Sequence, residues 1–442
     1  MAELSEEIEK KARDLYQTIL LMDDEKQRLA FLEKETHNQP LLRQTVIELW
    51  RTRKELPHQK VDFDPAVENE GRSSGVPGPG AGVGGKYIQG GKYILIDPIG
   101  EGGMGMVYIA KQTRPVQRLV AIKFRKAEAE GWDNRTRFDF ELRILALLEH
   151  PNIMQIYDAG ISEKGHPFFV MEYFPGQPIC KFCDHHRHTL RRRLELFLQV
   201  CRAIQHSHEK GIVHRDIKPA NVLAEMYQDH AVAKVIDFGL AKSMTSRVIE
   251  RRQMTRSGSV VGTFQYMSPE QASLDPKKID ERSDVYSLGV LLYELLSGIN
   301  PLTTKIAINS KTDLILKSIC NDDPLPASVA LAQIRHLGEI PNMRQTTAAA
   351  LAASFRGELD AILMKALERN PEARYQTPMA LARDLRHLLE GEPVEALERD
   401  RWYPIWKSMR RHRHALYFSL SLTAFFILIG LSFALGWVRF VG

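Results

Sequence analysis

Leu4, Ile8, Leu15 and Ile19 fall four, seven and four residues apart, the spacing of one helical face, and "EKQRLAFLEKE" and "PLLRQTVIELW" repeat the pattern after short polar breaks. Residues 1–56 are therefore expected to form a helical leader, with packing or docking as its role. The next stretch, residues 57–91, contains "GRSSGVPGPGAGVGG", whose glycines and prolines resist both helix and ladder, and reads as a linker. The period then shortens. "KYILI", "MVYIAK" and "RLVAIKF" alternate as strands and predict a small antiparallel sheet.

After Glu130 the pattern turns helical. "RRLELFLQVCRAIQHSHEKG" places Phe197, Val200, Cys201 and Ile204 on one face, and "SDVYSLGVLLYELLSG" does the same with Val285, Leu288, Leu291, Leu292 and Leu295. Gly211 and Gly298 are their stop signals. A strand, "AVAKVIDF", and a long polar loop lie between them. A small sheet followed by a helical body predicts an α+β architecture with a cleft at the junction.

Composition adds a boundary at the C-terminal end. Ala415 to Val438 is a run of 24 residues without a charge, long enough as a helix to cross a hydrocarbon core of about 30 Å. Lys407, Arg410, Arg411 and Arg413 precede it and only Arg439 follows. That asymmetry puts the preceding residues on the cytoplasmic side, with 392–414 as a basic juxtamembrane segment and 415–438 as a single transmembrane helix in the cell membrane. The start of the chain is acidic and amphipathic, unlike a signal peptide. Sixty basic and 55 acidic residues give a net charge of +5 without a basic stripe, so nucleic acid is not expected as a partner. Four cysteines are too few and too scattered for a disulfide framework, which fits a reducing compartment.

The chemistry lies in "GEGGMGMV", "VAIK", "HRDIKPAN", "DFG" and "GTFQYMSPE", in that order. A glycine run alone serves dinucleotides as readily as ATP, because both need backbone N–H groups near phosphate. The five pieces together resemble the protein kinase superfamily, and within it the eukaryotic-like serine/threonine kinases of bacteria, from about Lys92 to Gly391. The resemblance implies a bilobal fold with a sheet-built N-lobe and a helical C-lobe, and residues 92–391 as the kinase domain. It also implies protein substrates with Ser/Thr hydroxyls, ATP as phosphate donor and Mg²⁺ as cofactor.

Residue by residue, it implies that Ile99, Gly100, Glu101, Gly102, Gly103, Met104, Gly105, Met106 and Val107 fold over the nucleotide, with Val107 on the adenine. Lys123 would meet the α/β-phosphates and Glu141 would hold Lys123, with Asp139 open as an alternative. Met171 would back the adenine pocket, and the backbone of Glu172 and Phe174 would meet the adenine edge. Asp216 would take the hydroxyl proton, Lys218 would steady the transferred phosphate, and Asn221 and Asp237 would hold metal. The lysine two residues after Asp216 is the serine/threonine pattern. Asp284 would anchor the backbone around Asp216, and Glu270 and Arg374 would form a buried ion pair beneath the activation segment.

That segment carries Thr245, Ser246, Thr255, Ser257 and Ser259, and Arg215 could order a phosphorylated one. Autophosphorylation is expected at Thr255, Ser257 or Ser259, with a homodimer as its route. Ser268 and Phe264 stand where the family usually has alanine and proline, at positions read as peripheral. "CKFCDHHRH" offers Cys180, Cys183, His185, His186 and His188 as a zinc set, but too densely for one tetrahedron. The alternative from another class is a membrane-anchored scaffold with a kinase fold that binds nucleotide without turnover. A small-molecule phosphotransferase is disfavoured, because "GTFQYMSPE" is a peptide-positioning segment.

Overall fold

The computed structural model describes residues 11–12, 15, 18–19, 22, 25–36, 39, 42–43, 46, 86–102, 105–125, 147–162, 165–238, 264–273, 279–302, 312–334, 337–397, 403, 407, 423–428 and 431. They divide into two compact units, Met1–Gln177 with Leu223–Ile236, and Pro178–Val222 with Asp237–Gly442.

The first unit is built on an antiparallel sheet. Its strands are β1 (Lys86–Ile88), β2 (Tyr93–Gly102), β3 (Gly105–Gln112), β4 (Arg118–Arg125), β5 (Ile156–Ile161) and β6 (Pro167–Glu172), in the order β1-β2-β3-β4-β6-β5. β1 lies inside the stretch expected to be linker. Gly90 and Gly91, at φ of 58° and 80°, turn it back onto Tyr93–Leu95, and three residues are too few to show an alternating period.

Pairing sorts the side chains of β3 and β4 onto two faces. Tyr108 opposes Ile122 and Ala110 opposes Val120, and these join Tyr93, Leu95, Phe124, Phe168 and Val170 in one core. Val107 opposes Lys123 and Ile109 opposes Ala121, so these four share the other face.

The leader contributes α1 (Glu25–Glu35) and further helical residues at 11–12, 15, 18–19, 42–43 and 46. Its Ala12, Ile19, Leu32, Leu42 and Val46 are buried in a second cluster with Ile109 of β3, and Ile96, Ile99 and Leu119 of the sheet pack against it. The chain returns to this unit through β7 (Val222–Tyr227) and β8 (His230–Val235), where one strand, "AVAKVIDF", was expected. β8 is fixed by Asn152: its backbone oxygen accepts from Val235 N at 2.8 Å, and its Nδ2 donates to Ala233 O at 2.8 Å.

The second unit holds α2 (Ile179–His185), α3 (Leu190–Glu209), α4 (Pro269–Ala272), α5 (Glu281–Ser297), α6 (Thr312–Asn321), α7 (Ala327–Gln333), α8 (Ala348–Phe355), α9 (Glu358–Ala366) and α10 (Pro378–Glu390). On α3 the four expected face residues are all buried. α5 departs from the one-faced helix its periodicity predicts. It is buried nearly all round, polar Ser283, Asp284 and Ser287 included, so it runs through the interior of the unit. Gly298 ends it in the left-handed conformation at φ 80°.

Two buried arginines cap α5's last carbonyls. Arg193, fully buried, donates from Nη1 to Leu295 O at 3.0 Å and from Nη2 to Cys183 O at 3.0 Å and Met343 O at 2.8 Å, and it pairs with Asp184 at 2.8 Å. Arg344 adds Leu295 O and Leu296 O. The cysteine- and histidine-rich stretch therefore builds α2 and the turn after it. Among the described residues no group of three or more His, Cys, Asp or Glu is arranged to hold a metal ion.

Beyond α10, Tyr403 donates to Glu358 Oε1 at 2.9 Å, and Lys407 pairs with the same carboxylate at 2.6 Å. Lys407, counted among the juxtamembrane cations, is thus folded onto α9 and only 8% exposed. The expected transmembrane run lies outside the described residues except at 423–428, which is helical, and 431. Among the described residues no helix is long and apolar enough to cross a membrane.

His188 is 3% exposed, packs edge-on to Phe182 at 5.4 Å, and has neither ring nitrogen hydrogen-bonded. Burial, with His186 and Arg193 nearby, pushes its pKa down to about 4 from an ordinary 6.5. The unfolded chain then takes a proton that the folded chain refuses between those values, so stability falls as pH drops from about 6.5 to about 4. The loss from this residue should approach roughly 3 kcal/mol. Urea unfolding of His188→Phe across that range should show a correspondingly flatter pH dependence than the parent chain.

Candidate functional site

In the first unit β2 and β3 pair antiparallel through the glycine run. Gly102 opposes Gly105, and Gly103 and Met104 between them lie outside the described residues, as does the side chain of Glu101. Gly105 has φ 141°, and a Cβ there would sit 1.8 Å from Phe124 O, so the approach of β4 alone requires glycine. Gly100 differs. A Cβ there would meet nothing within 4 Å, so packing does not demand the glycine, and an approaching phosphate would. Val107 opposes Gly100 on one side and half-buried Lys123 on the other, which sets an apolar surface and a cation side by side on one face.

At the end of β6, Glu172 sends its carboxylate to Lys234 at 2.6 Å and donates its N–H to Gln155 O at 2.9 Å. Lys234 also lies 5.8 Å over the Phe174 ring, and a Cβ on Gly176 would strike that ring. The segment from Glu172 to Gly176 is thus fixed by its side chains. Glu141 and Asp139, the candidates for the partner of Lys123, lie outside the described residues.

The second unit carries the carboxylates. Asp216 Oδ2 accepts from Lys218 Nζ at 3.0 Å and from Asn221 Nδ2 at 2.9 Å, and Asp216 O accepts from the same amide at 2.8 Å. Both partners of Nδ2 are acceptors, so the amide orientation is decided and Oδ1 of Asn221 faces away as an oxygen donor suited to a hard cation. Asp237 follows β8, in the left-handed region at φ 58°. The next residue, Phe238, packs on the His214 ring at 4.6 Å.

What fixes this loop is Asp284. Fully buried at the start of α5, it accepts from His214 N at 2.7 Å and Arg215 N at 2.8 Å, and it pairs with His208 Nε2 at 2.8 Å. Burial alone would raise its pKa, but His208 and the backbone N–H donors hold it below the usual carboxylate range. Arg215 is held at φ 64°, an uncommon conformation for a non-glycine, between Asp284 on its N–H and Gln271 Nε2 on its carbonyl at 3.1 Å.

A match to the family model described as protein kinase domain covers residues 93–385, about two thirds of the chain. The chain belongs to the protein kinase family. It is 36% identical over 310 residues to serine/threonine-protein kinase PknB of Mycobacterium tuberculosis, covering 69% of this chain and 44% of that protein. A probable serine/threonine-protein kinase of Streptomyces coelicolor is 36% identical over 312 residues, 70% of this chain and 41% of that protein. PknB of Mycobacterium leprae is 35% identical over 314 residues, 69% of this chain and 44% of that protein. The chain thus spans less than half the length of these relatives. Its domain groups with the eukaryotic-like serine/threonine kinases of bacteria, and the antiparallel sheet and the helical unit fit the kinase fold.

Within that kinase domain, Gln271, His208 and Lys234 bear on the site from outside the quoted motifs, and Ser268 acts with the first of them. Ser268 caps α4: its Oγ accepts from Gln271 N at 3.3 Å while Gln271 Oε1 accepts from Ser268 N at 3.0 Å, and Gln271 then reaches Arg215 O. Ser268 thus braces α4, one residue removed from Arg215, and the S-x-x-Q spacing was the signal for it. His208 and Lys234 gave no local signal, since their partners Asp284 and Glu172 are 76 and 62 residues away.

Glu270 and Arg374 meet in two parallel bonds of 2.7 and 2.8 Å, with Ser283 Oγ adding 2.7 Å. Burial raises the Glu270 carboxyl, but Arg374 outweighs it and holds the pKa below the usual value. Thr245, Ser246, Thr255, Ser257 and Ser259 lie outside the described residues.

Asp284→Asn should unsettle the loop without changing its volume. An amide offers one oxygen where the carboxylate uses two, so one of the buried N–H groups of His214 and Arg215 loses its acceptor. Chemical denaturation should give a loss of about 1–3 kcal/mol.

Proposed function

We propose that the chain is an ATP-dependent serine/threonine protein kinase, tethered to the cell membrane by one C-terminal helix, with its kinase domain in the cytoplasm. The observation that carries the activity is the arrangement around Asp216. A carboxylate that accepts from Lys218 and Asn221 on one oxygen is oriented by both. So oriented, the carboxylate is suited to accept the proton of a Ser or Thr hydroxyl. Lys218, 3.0 Å from that carboxylate, is close enough to steady the phosphoryl group in transfer.

Asn221 through Oδ1 and Asp237 through its carboxylate are suited to hold Mg²⁺, which when bound offsets the charge of the nucleotide phosphates. Lys123 would meet the α/β-phosphates, Glu141 would hold it, and Ile99 to Val107 would cover the nucleotide. The backbone at Glu172 and Phe174 would meet the adenine. Residues 92–391 are assigned to the kinase domain, 1–56 to the leader and 57–91 to the linker, although β1 falls in the last.

Asp216→Asn should abolish phosphate transfer, by at least 10²-fold, while a fluorescent ADP analogue still binds. Absence of transfer in the parent chain as well, with nucleotide bound, would favour the scaffold reading. Autophosphorylation at Thr255, Ser257 or Ser259, through a homodimer, is part of the proposal. Mass spectrometry of the chain after incubation with ATP and Mg²⁺ should find phosphate there in the parent and not in Asp216→Asn.

The membrane tether rests on the apolar run 415–438. Phe425, Phe426, Ile427, Leu428 and Leu431, the described part of it, are 53–66% exposed. The full chain should float with liposomes in a density gradient, and a chain ending at residue 407 should stay at the bottom.

A further inference from the structure

The sheet face that carries Val107 and Lys123 is not bare further along. Ile109, two residues beyond Val107 on that face, is 0% exposed, and the residues that bury it come from the leader. Ala12, Ile19, Leu32, Leu42 and Val46 are each 0–2% exposed in the same cluster. The partly buried residues packed against it include Ile99, on the strand entering the glycine run, and Tyr173, between Glu172 and Phe174. Ile96, next to core Leu95, falls on this same face by strand alternation and packs against the same cluster. The leader therefore rests on two places that border the proposed nucleotide site, the roof at Ile99 and the strap at Tyr173.

We propose that the leader is a positioning element for ATP: docked through Leu32, it holds Ile99 and Tyr173 where the adenine needs them, so affinity for nucleotide depends on its docking. This rests on the ATP-site reading above. Apolar side chains in contact transmit a displacement because packed interiors resist compression. Coupling between two binding events is reciprocal, so nucleotide must tighten the leader by the factor by which the leader tightens nucleotide.

The test uses the full chain in detergent. Leu32→Asp should raise KM for ATP about tenfold with kcat within about threefold, Leu32→Met should restore the parent values, and Glu33→Ala, on the exposed side of α1, should change nothing. Hydrogen exchange on the parent chain, which needs no variant to fold, should slow across residues 25–35 on adding an ATP analogue with Mg²⁺. The proposal is overturned if Leu32→Asp folds and binds the fluorescent ADP analogue as tightly as the parent, or if exchange across 25–35 ignores nucleotide. A parent chain that binds no nucleotide at all overturns the ATP site along with it.

Discussion

A single buried carboxylate organises the helical unit. Asp284 sits on the first turn of a helix that is interior on nearly every side, and a charge there is tolerable only with its lone pairs filled. They are filled by two consecutive backbone N–H groups and a histidine. Consecutive N–H groups cannot both reach one carboxylate from an extended chain, so Arg215 is driven into the left-handed region and Asp216 follows from that bend. The same carboxylate thus satisfies α5 and sets the backbone from which Asp216, Lys218 and Asn221 project.

Support from the other side is similarly indirect. Ser268 caps a four-residue helix, Gln271 completes the cap and reaches Arg215, and the adjoining Glu270 is locked by Arg374. None of these side chains need touch a reacting atom. Their common effect is that the loop bearing Asp216 is gripped through its backbone, on the N–H side from α5 and on the carbonyl side from α4. The sheet unit solves a different problem, that of a strand with two useful faces. Alternation gives β3 one core face and one open face, and the leader covers the part of the open face that holds Ile109.

Much of the candidate site was legible because its residues are close in sequence. Asp216, Lys218 and Asn221 span six positions, and their meeting around one carboxylate follows from a short turn. The α3 face and the α5 stop at Gly298 were legible for the same reason, since helical period and left-handed glycine are local. β1 was hidden by its length, and β7 by sitting next to a motif. The full burial of α5 was hidden too, because a period reports one apolar face and says nothing of what covers the rest. Ser268 carries a local pattern of its own, the S-x-x-Q spacing of a capping box, which helix-start chemistry makes legible.

The sequence by itself determined which chemistry this chain can hold: a glycine run before a strand, a lysine on the next strand, and an aspartate followed by a lysine and an asparagine. Those assignments depend on residue type and short spacing, which local backbone geometry converts directly into position. Only the tertiary structure decided how those groups are held. His208 meets Asp284 across 76 residues, Arg374 meets Glu270 across 104, and Ile109 is buried by a leader that precedes the sheet. Contacts of that kind arise when burial forces a polar group or an apolar face to find whatever partner the packed chain brings near, and no periodicity along the chain records that choice.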